Sequence, residues 1–461
     1  FKQKTAYEIG VRLVGSEMCI RDSLTLVSLS FLIAQAPDRI NKKIDKMADR
    51  LEKKVINWRR DFHQNPELSN REFKTSEKVA KHLKSLGIEV ETGIAHTGVV
   101  GILKGGKPGK VVALRADMDA LPVKEKVNLP FASKAKGIYQ GNEVDVMHAC
   151  GHDNHIAGMM GAAEILAGIR KDLPGTVKFI FQPAEEGAPL GEEGGATLMV
   201  KEGVMDKPKV DAIFGLHAWP GLIGTAQYRS GPTMAAAERM RITVTGVQTH
   251  GAKPWGGVDP IVVSSQIIMS LQTIVAREVD ITEVPAVVTI GSIHGGVRNN
   301  IIPEEVVMEG TIRTFKKEIR NQIHKSIKDK VEMIASASGA KAKVEIFSNI
   351  AKVTYNEPSL TEQMLPSLRR VYGKENVFVR PFVTGAEDFP FFTDHAPGLY
   401  FFNGVAVDPS KAYSNHSPYF FADERNLKYG MKSMAQLALS LIHISEPTRR
   451  TPISYAVFCL K

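Results

Sequence analysis

The sequence predicts an α/β protein made of one discontinuous main domain and one inserted module, on three observations. Between Val99 and Ala218, apolar strands alternate with helical periods: KVVALRAD (110–117), a helix from His155 to Ile169, TVKFIFQ (176–182), a helix around 194–202 and AIFGLHA (212–218). After Gly231 the rhythm changes to strand 239–246, helix 258–277, strands 286–293 and 305–314, helix 316–336 and strand 341–347. That β-α-β-β-α-β order is the split arrangement of a ferredoxin-like domain. The strand GLYFFNG (398–404) and the helix 424–439 then resume the earlier style. Residues 37–233 and 348–439 are therefore expected to form one domain with a mixed sheet, and 234–347 an insertion into it.

Upstream, apolar residues recur at helical spacing from Ile44 to Leu86 with a break at Pro66, predicting helices over 45–62 and 73–86. VVGILKG (99–105) and KVVALRAD flank Gly105-Gly106-Lys107-Pro108-Gly109, which predicts a hairpin. Gly101 to Lys107 spells most of a phosphate-binding loop. Pro108, however, stands where a magnesium-coordinating Ser or Thr is needed, and no helix can follow it directly, so that reading is excluded.

The 461 residues are 43% hydrophobic and 24% charged, which excludes a disordered or fibrous chain. The formal charge of +9 is dispersed, with no Lys/Arg run long enough to track phosphates, so no nucleic-acid partner is expected. Residues 1–22 and 440–461 share neither the periodicity nor the composition of their neighbours; they resemble translated sequencing-adapter read-through and are expected to pack against nothing. Between the first of them and the body, SLTLVSLSFLIAQA (23–36) closes on Ala34-Gln35-Ala36, the pattern of a secretory signal core and cleavage site. It predicts an exported or periplasmic protein; without that signal the chain would be cytoplasmic. The apolar run is shorter than the ~20 residues of a bilayer-spanning helix, so no membrane span is expected. Cys19 and Cys459 lie in the terminal segments, which leaves Cys150 alone in the body and no internal disulfide there.

The densest chemistry is MHACGHDNH (147–155), where Cys150, His152, Asp153 and His155 precede an apolar helix. Thiolate, imidazole and carboxylate together suit a borderline-soft divalent metal. Glu185-Glu186 follow the strand KFIFQ, at the strand ends where open α/β sheets bind ligands. Adjacent residues point different ways, so one can bind a metal while the other faces a bound water. His217 in FGLHAWP lies at another strand end, and His416 in a polar loop between apolar segments. Asp117 and Asp119 close a further strand on the same side. Taken singly, each has a plainer reading: a core cysteine, capping histidines, a solvated acidic loop, an ordinary turn.

Nine segments in order, RRDFHQNPEL (59–68), RADMDALPV (115–123), MHACGHDNH, FQPAEEG (181–187), GLHAWP (215–220), THGAKPWGGVDP (249–260), NIIPEEVVMEGTIRTF (300–315), GAEDFPFF (385–392) and NHSP (415–418), closely resemble the M20 metallopeptidases. They are most similar to the amidohydrolase branch of hippurate hydrolases, N-acyl-amino-acid amidohydrolases, N-acetyldiaminopimelate deacetylases and auxin-conjugate hydrolases. Other branches carry His-x-Asp where this chain has Asp117-Met118-Asp119, a departure typical of the branch with a cysteine ligand.

The resemblance implies a zinc-exopeptidase-like catalytic domain and, in the insertion, a lid that also forms a homodimer. It implies two divalent metal ions, Mn²⁺ or Zn²⁺ before Co²⁺ or Ni²⁺, held by Cys150, His152, Glu186, His217 and His416. Glu185 then takes the role of general base and acid, and Asp119, with Asp117 beside it, stands behind the ligand His152. His250 would polarise the scissile carbonyl from the partner's lid, and Asn300 and Arg313 would hold the free carboxylate of an N-acyl amino acid. His155, Glu387 and Asp388 match motif positions without a firm role, and His63 has none. His82, His96, His294, His324 and His395 are read as surface or satisfied core. The competing readings are a metallo-dipeptidase or exopeptidase, for which the same ligands serve, and a non-catalytic receptor for amino-acid conjugates.

Overall fold

The computed structural model describes residues 38–443, apart from the side chains of residues 349 and 350. The expected leader at 23–36 and the segment 1–22 lie outside those residues, as does 444–461. The chain opens with α1 (Asp38–Gln64) and α2 (Phe73–Ser85), then β1 (Glu89–Ile94), β2 (Gly98–Lys104), β3 (Lys107–Asp117), α3 (His152–Gly168), β4 (Pro174–Gln182), β5 (Ala212–Leu222) and β6 (Ala226–Tyr228). It crosses into a second unit of β7 (Ala236–Thr245), α4 (Pro260–Thr273), β8 (Val287–Gly295), β9 (Glu305–Thr314), α5 (Lys317–Ala337) and β10 (Lys341–Ala351). It returns through α6 (Pro358–Tyr372), β11 (Val377–Val379), β12 (Gly398–Ala406) and α7 (Asn426–His443).

The main sheet has eight strands in the order β1-β2-β4-β3-β5-β12-β6-β11. Its central strands β4, β3, β5 and β12 are mutually parallel, so their carboxyl ends share one edge. These strands read as largely apolar runs because both faces are covered, with Arg115, Lys178 and Asn403 as buried polar exceptions. Leu114, Phe179, Phe181, Phe214 and Phe401 face a core shared with α1, α3 and α7, while Ala113, Ile180, Ile213, Tyr400 and Phe402 face the opposite layer with Met199, Phe389 and Phe392. Helix α3 is buried on every side, whereas α1 buries the stripe Ile44, Ala48, Leu51 and Val55 and, of its charged residues, buries Arg59.

Strands β2 and β3 do not form the predicted hairpin: β4 lies between them, antiparallel to β2 and parallel to β3. The glycines serve close backbone approach instead of a tight turn. Gly105 N–H donates to Gly175 O at 2.7 Å. A Cβ on Gly105 would stand 2.2 Å from Leu173 O, and one on Gly109 2.5 Å from Pro174 O. The chain thus passes the amino end of β4 in contact with its backbone.

In the second unit β7 pairs antiparallel with β9 and β10, and β9 with β8, giving the order β8-β9-β7-β10. Val263, Ile267 and Leu271 of α4 and Ile323, Ile327 and Val331 of α5 share a core with Met240, Ile242 and Val244 of β7. Among the described residues one helix, Pro260–Glu278, is long and apolar enough to cross a membrane by length and composition; here its inner face belongs to that core. The two crossings between units run side by side, Gly231–Met234 pairing antiparallel with Thr354–Asn356.

The expected boundary at 440 falls inside α7. Leu427, Met431, Met434, Ala438 and Leu441 continue one helical stripe, and Leu441 and Ile442 are buried in the main core. Leu441→Ala is expected to cost about 2 kcal/mol, the low end for a buried leucine because it sits in the last turn. A urea midpoint equal to that of the parent would detach this turn from the core.

Candidate active site

The site collects at the carboxyl edge of the parallel strands, where a layered α/β sheet leaves backbone dipoles and loop ends open to a ligand. β3 delivers Asp117 and, two residues later, Asp119; β5 carries His217. Gly151, at φ +97°, makes the sharp entry into α3 that sets Cys150 and His152 on its two sides, and a Cβ there would meet that of Ala218 at 2.9 Å. After β4, Ala184 at φ +51° and Gly187 at φ +110° bracket Glu185 and Glu186. His416, also left-handed at φ +69°, is fixed by its N–H donating to Ala149 O at 2.8 Å.

Donor atoms of Cys150, His152 and His217 all lie within 4.8 Å of one another, as do those of Cys150, Glu186 and His416 and those of His152, Glu185 and Glu186. Cys150 Sγ is 3.4 Å from His217 Nε2, and His416 Nε2 is 3.1 Å from Glu186 Oε1. The imidazole protons are fixed from outside the cluster. His217 Nδ1 lies 2.7 Å from Ala218 O and His152 Nδ1 2.8 Å from Asp119 O. Carbonyls only accept, so both Nδ1 atoms carry hydrogen and both Nε2 atoms turn inward. His152 Nε2 is buried with no hydrogen-bond partner.

Burial disfavours charge on His152, but Asp117, Asp119 and Glu186 outweigh it and push its pKa up to about 10. Burial, then the charges of Glu387, Glu186 and Asp388, push Glu185 well above the carboxylate range. Burial, Glu186 and Glu185 likewise raise the Cys150 thiol. Neighbouring acids that resist ionising together form a place for positive charge. A soft, compact donor set with an inward, unpaired imidazole nitrogen fits a borderline divalent cation.

His155 is not part of that inward set. Its Nε2 accepts from Ala218 N–H at 2.7 Å and its Nδ1 donates to Asp117 Oδ1 at 2.5 Å, so both nitrogens are used. His63 acquires a role as well. Its two nitrogens face Asp153 Oδ2 at 2.8 Å and Glu125 Oε1 at 3.0 Å, while Arg59 Nε donates to the same Asp153 oxygen at 2.8 Å. This ties the first turn of α3, and with it His152, to α1.

Sequence reasoning assigned nothing to Arg115, the residue on which this arrangement turns. Fully buried, it donates to Asp117 Oδ2 at 2.6 Å, Gln182 Oε1 at 2.7 Å, Glu387 Oε1 at 2.7 Å and Asp388 Oδ1 at 3.0 Å. Glu387 also accepts from the Tyr400 hydroxyl at 2.5 Å, and Asp388 accepts from Ala196 N–H at 2.7 Å. Glu72 was missed too: it accepts from Ala184 N–H at 2.9 Å, while Asp119 Oδ2 accepts from Glu186 N–H at 3.0 Å, so two buried carboxylates pin the Glu185-Glu186 loop from beneath. The signal for Arg115 was available, since an arginine inside an apolar strand run must be paired.

Arg313, on β9 of the second unit, lines the same cavity as Cys150, Glu185, Glu186, His217 and His416, a space of about 500 Å³. His250 and Asn300 do not line it. They lie together on the second unit, Gly251 N–H donating to Asn300 O at 2.8 Å, and both are exposed.

Such a donor cluster at the carboxyl edge of an α/β sheet makes a candidate metal centre, and the family and relatives that match the chain make it a metal-dependent hydrolase acting on amides. A family model described as Peptidase family M20/M25/M40 matches residues 113–440, and the chain belongs to that family. It is 40% identical over 403 residues to thermostable carboxypeptidase 2 of Saccharolobus solfataricus, covering 86% of this chain and 98% of that one. It is 38% identical over 400 residues to N-acetyl-L-cysteine deacetylase of Bacillus subtilis, covering 87% and 91%. Among solved structures it superposes with a TM-score of 0.71 and 35% identity on a dinuclear metal-binding peptidase of the M20 family from Bacillus subtilis, covering 86% of this chain and 99% of that one.

Removing a cation from a buried acid cluster leaves its charges unpaired, which costs about 3–5 kcal/mol. Arg115→Met is therefore expected to lower the unfolding free energy by about that amount. A denaturation curve that overlays the parent would show that Arg115 does not hold the cluster together.

Proposed function

We propose that the protein hydrolyses N-acyl amino acids to a carboxylic acid and a free amino acid. Cys150, His152, Glu186, His217 and His416 would hold two divalent cations, Mn²⁺ or Zn²⁺ before Co²⁺ or Ni²⁺. Bound there, they would supply Lewis acidity, lowering the pKa of a water and polarising the acyl oxygen. The observation that carries the reading is the presence of Arg313 and the donor cluster in one cavity. Arg313 is half-buried and forms no salt bridge among the described residues, its guanidinium bonding only Thr311 Oγ1 and Ile312 O. It would take the free α-carboxylate and so set the scissile carbonyl over the cluster.

Glu185, which lines the cavity beside Glu186, would remove a proton from the attacking water and return it to the leaving nitrogen. Asp119 holds the His152 tautomer throughout. The second unit, with its ferredoxin-like strand order, would act as a lid and as the contact of a homodimer. Exposed His250, with Asn300 beside it, would then complete the site of the opposite subunit by polarising the carbonyl. A carboxypeptidase is the alternative, favoured by the names of the Saccharolobus relatives, and Arg313 would hold a peptide's terminal carboxylate equally well. Turnover of N-acetylalanine but not alanyl-alanine supports the amidohydrolase; the reverse supports the peptidase.

Glu185→Gln is expected to keep its metal and lose about 10²–10⁴ in kcat. Glu186→Gln should instead bind less metal, and exchanged phenotypes would reverse the pair. Cys150→Ala should lower both metal content and turnover, whereas full occupancy with full activity would remove the thiolate from the site. For action across the dimer, mixing inactive His250→Ala and Glu185→Gln proteins under subunit exchange should restore roughly a quarter of wild-type activity, because half the dimers are mixed and each has one intact site. No recovery despite confirmed exchange would rule that out.

A further inference from the structure

A second cavity, of about 160 Å³, shares Glu186 and Gly187 with the donor cavity but does not include Arg313. Its floor is the buried pair Leu68 and Ala120, joined by a β-bridge. Its sides are Leu121, Pro122 and Pro189. At its mouth stand Ile138, Tyr139 and Leu190, which are 67%, 44% and 84% exposed. Two of them belong to the hairpin formed by Lys136–Tyr139 and Asn142–Asp145, and the third to the loop that carries Glu186. Large apolar side chains gathered around one opening mark a site that something apolar covers.

Two of the polar side chains of this cavity are engaged already. Ser69 Oγ donates to Asp119 Oδ2 at 2.7 Å, and Arg71 is paired with Glu192 at 2.5 Å. With these engaged, the greater part of the exposed lining is apolar. In an N-acyl amino acid the carboxylate and the acyl chain leave the scissile carbonyl in opposite directions. With the carboxylate on Arg313 and the carbonyl at the donor cluster, the acyl chain has to continue past the cluster, and this cavity borders Glu186 there.

We propose that this cavity is the acyl-group site, selecting apolar acyl groups of about six carbons over acetyl, since an apolar cavity of roughly 150 Å³ accommodates benzene. The assignment rests on the amidohydrolase reading above. A phenyl ring and a pentyl chain have the same chemistry here, and the test separates them.

Mn²⁺-loaded full-length protein is assayed with N-benzoyl-, N-hexanoyl- and N-acetylalanine. At least one of the larger substrates should exceed N-acetylalanine in kcat/KM by about tenfold or more, and whichever does so identifies ring or chain. In the double variant Ile138→Ser/Leu190→Ser that ratio should fall by about tenfold. Both positions are exposed, so folding should be preserved, and a general loss of active protein would leave the ratio unchanged. Calorimetric binding of the preferred substrate to Glu185→Gln protein should weaken by a similar factor when the double change is added. A wild-type preference for acetyl, or a ratio unmoved in the double variant, overturns the acyl site. Failure to hydrolyse any of the three overturns the amidohydrolase reading instead.

Discussion

The molecule is organised around the problem of keeping many acids next to one another at a buried edge. Asp117, Asp119, Glu185, Glu186, Glu387 and Asp388 converge with the Cys150 thiol, and each is buried or nearly so. In a medium of low polarity such charges repel strongly and none can be ionised cheaply without a compensating cation. Arg115 supplies one such cation, spending its guanidinium on Asp117, Glu387 and Asp388 at once. That settles the rear of the site and leaves the front, where Cys150, His152, Glu185, Glu186, His217 and His416 meet, short of positive charge. The raised pKa of His152 and the suppressed ionisation of Glu185 are two expressions of that shortage.

The surrounding structure keeps this arrangement from relaxing. Helix α3 is anchored at its first turn by Arg59 and His63 on Asp153, and Glu72 and Asp119 receive the amides of the Glu185-Glu186 loop. Carboxylates used as hydrogen-bond acceptors for backbone fix the direction of their neighbours, which catalysis needs more than it needs additional stability. The left-handed residues Ala184, Gly151 and His416 sit at the bends that aim the donors inward.

Much of this was legible in the sequence. The alternation of apolar strands and helices, and the change of rhythm at the second unit, follow from burial alone, and the elements fall within a few residues of where the pattern puts them. The candidate donors Cys150, His152, Glu186, His217 and His416 came from the resemblance of the motifs around them, since singly a cysteine and a histidine before a helix, a glutamate and a histidine at strand ends and a histidine in a loop each have a plainer reading. Three things were not. Glycine between two strands reads as a turn, yet Gly105 and Gly109 admit the backbone of β4, which arrives from a distant part of the chain. The pairing of Arg115 with Glu387 joins residues far apart in sequence, so only its unlikely position in an apolar run hinted at it. The end of α7 was cut short because a compositional break was given more weight than the apolar stripe that runs on to Leu441.

The most direct measurement is the anomalous scattering of crystals grown with Mn²⁺. The account predicts two peaks at the front of the cluster, contacted by Cys150, His152, Glu186, His217 and His416, with His155 and Arg115 away from both. Peaks coordinated by His155 or by the Arg115-bound carboxylates, or an active crystal with no metal at the front of the cluster, would contradict it.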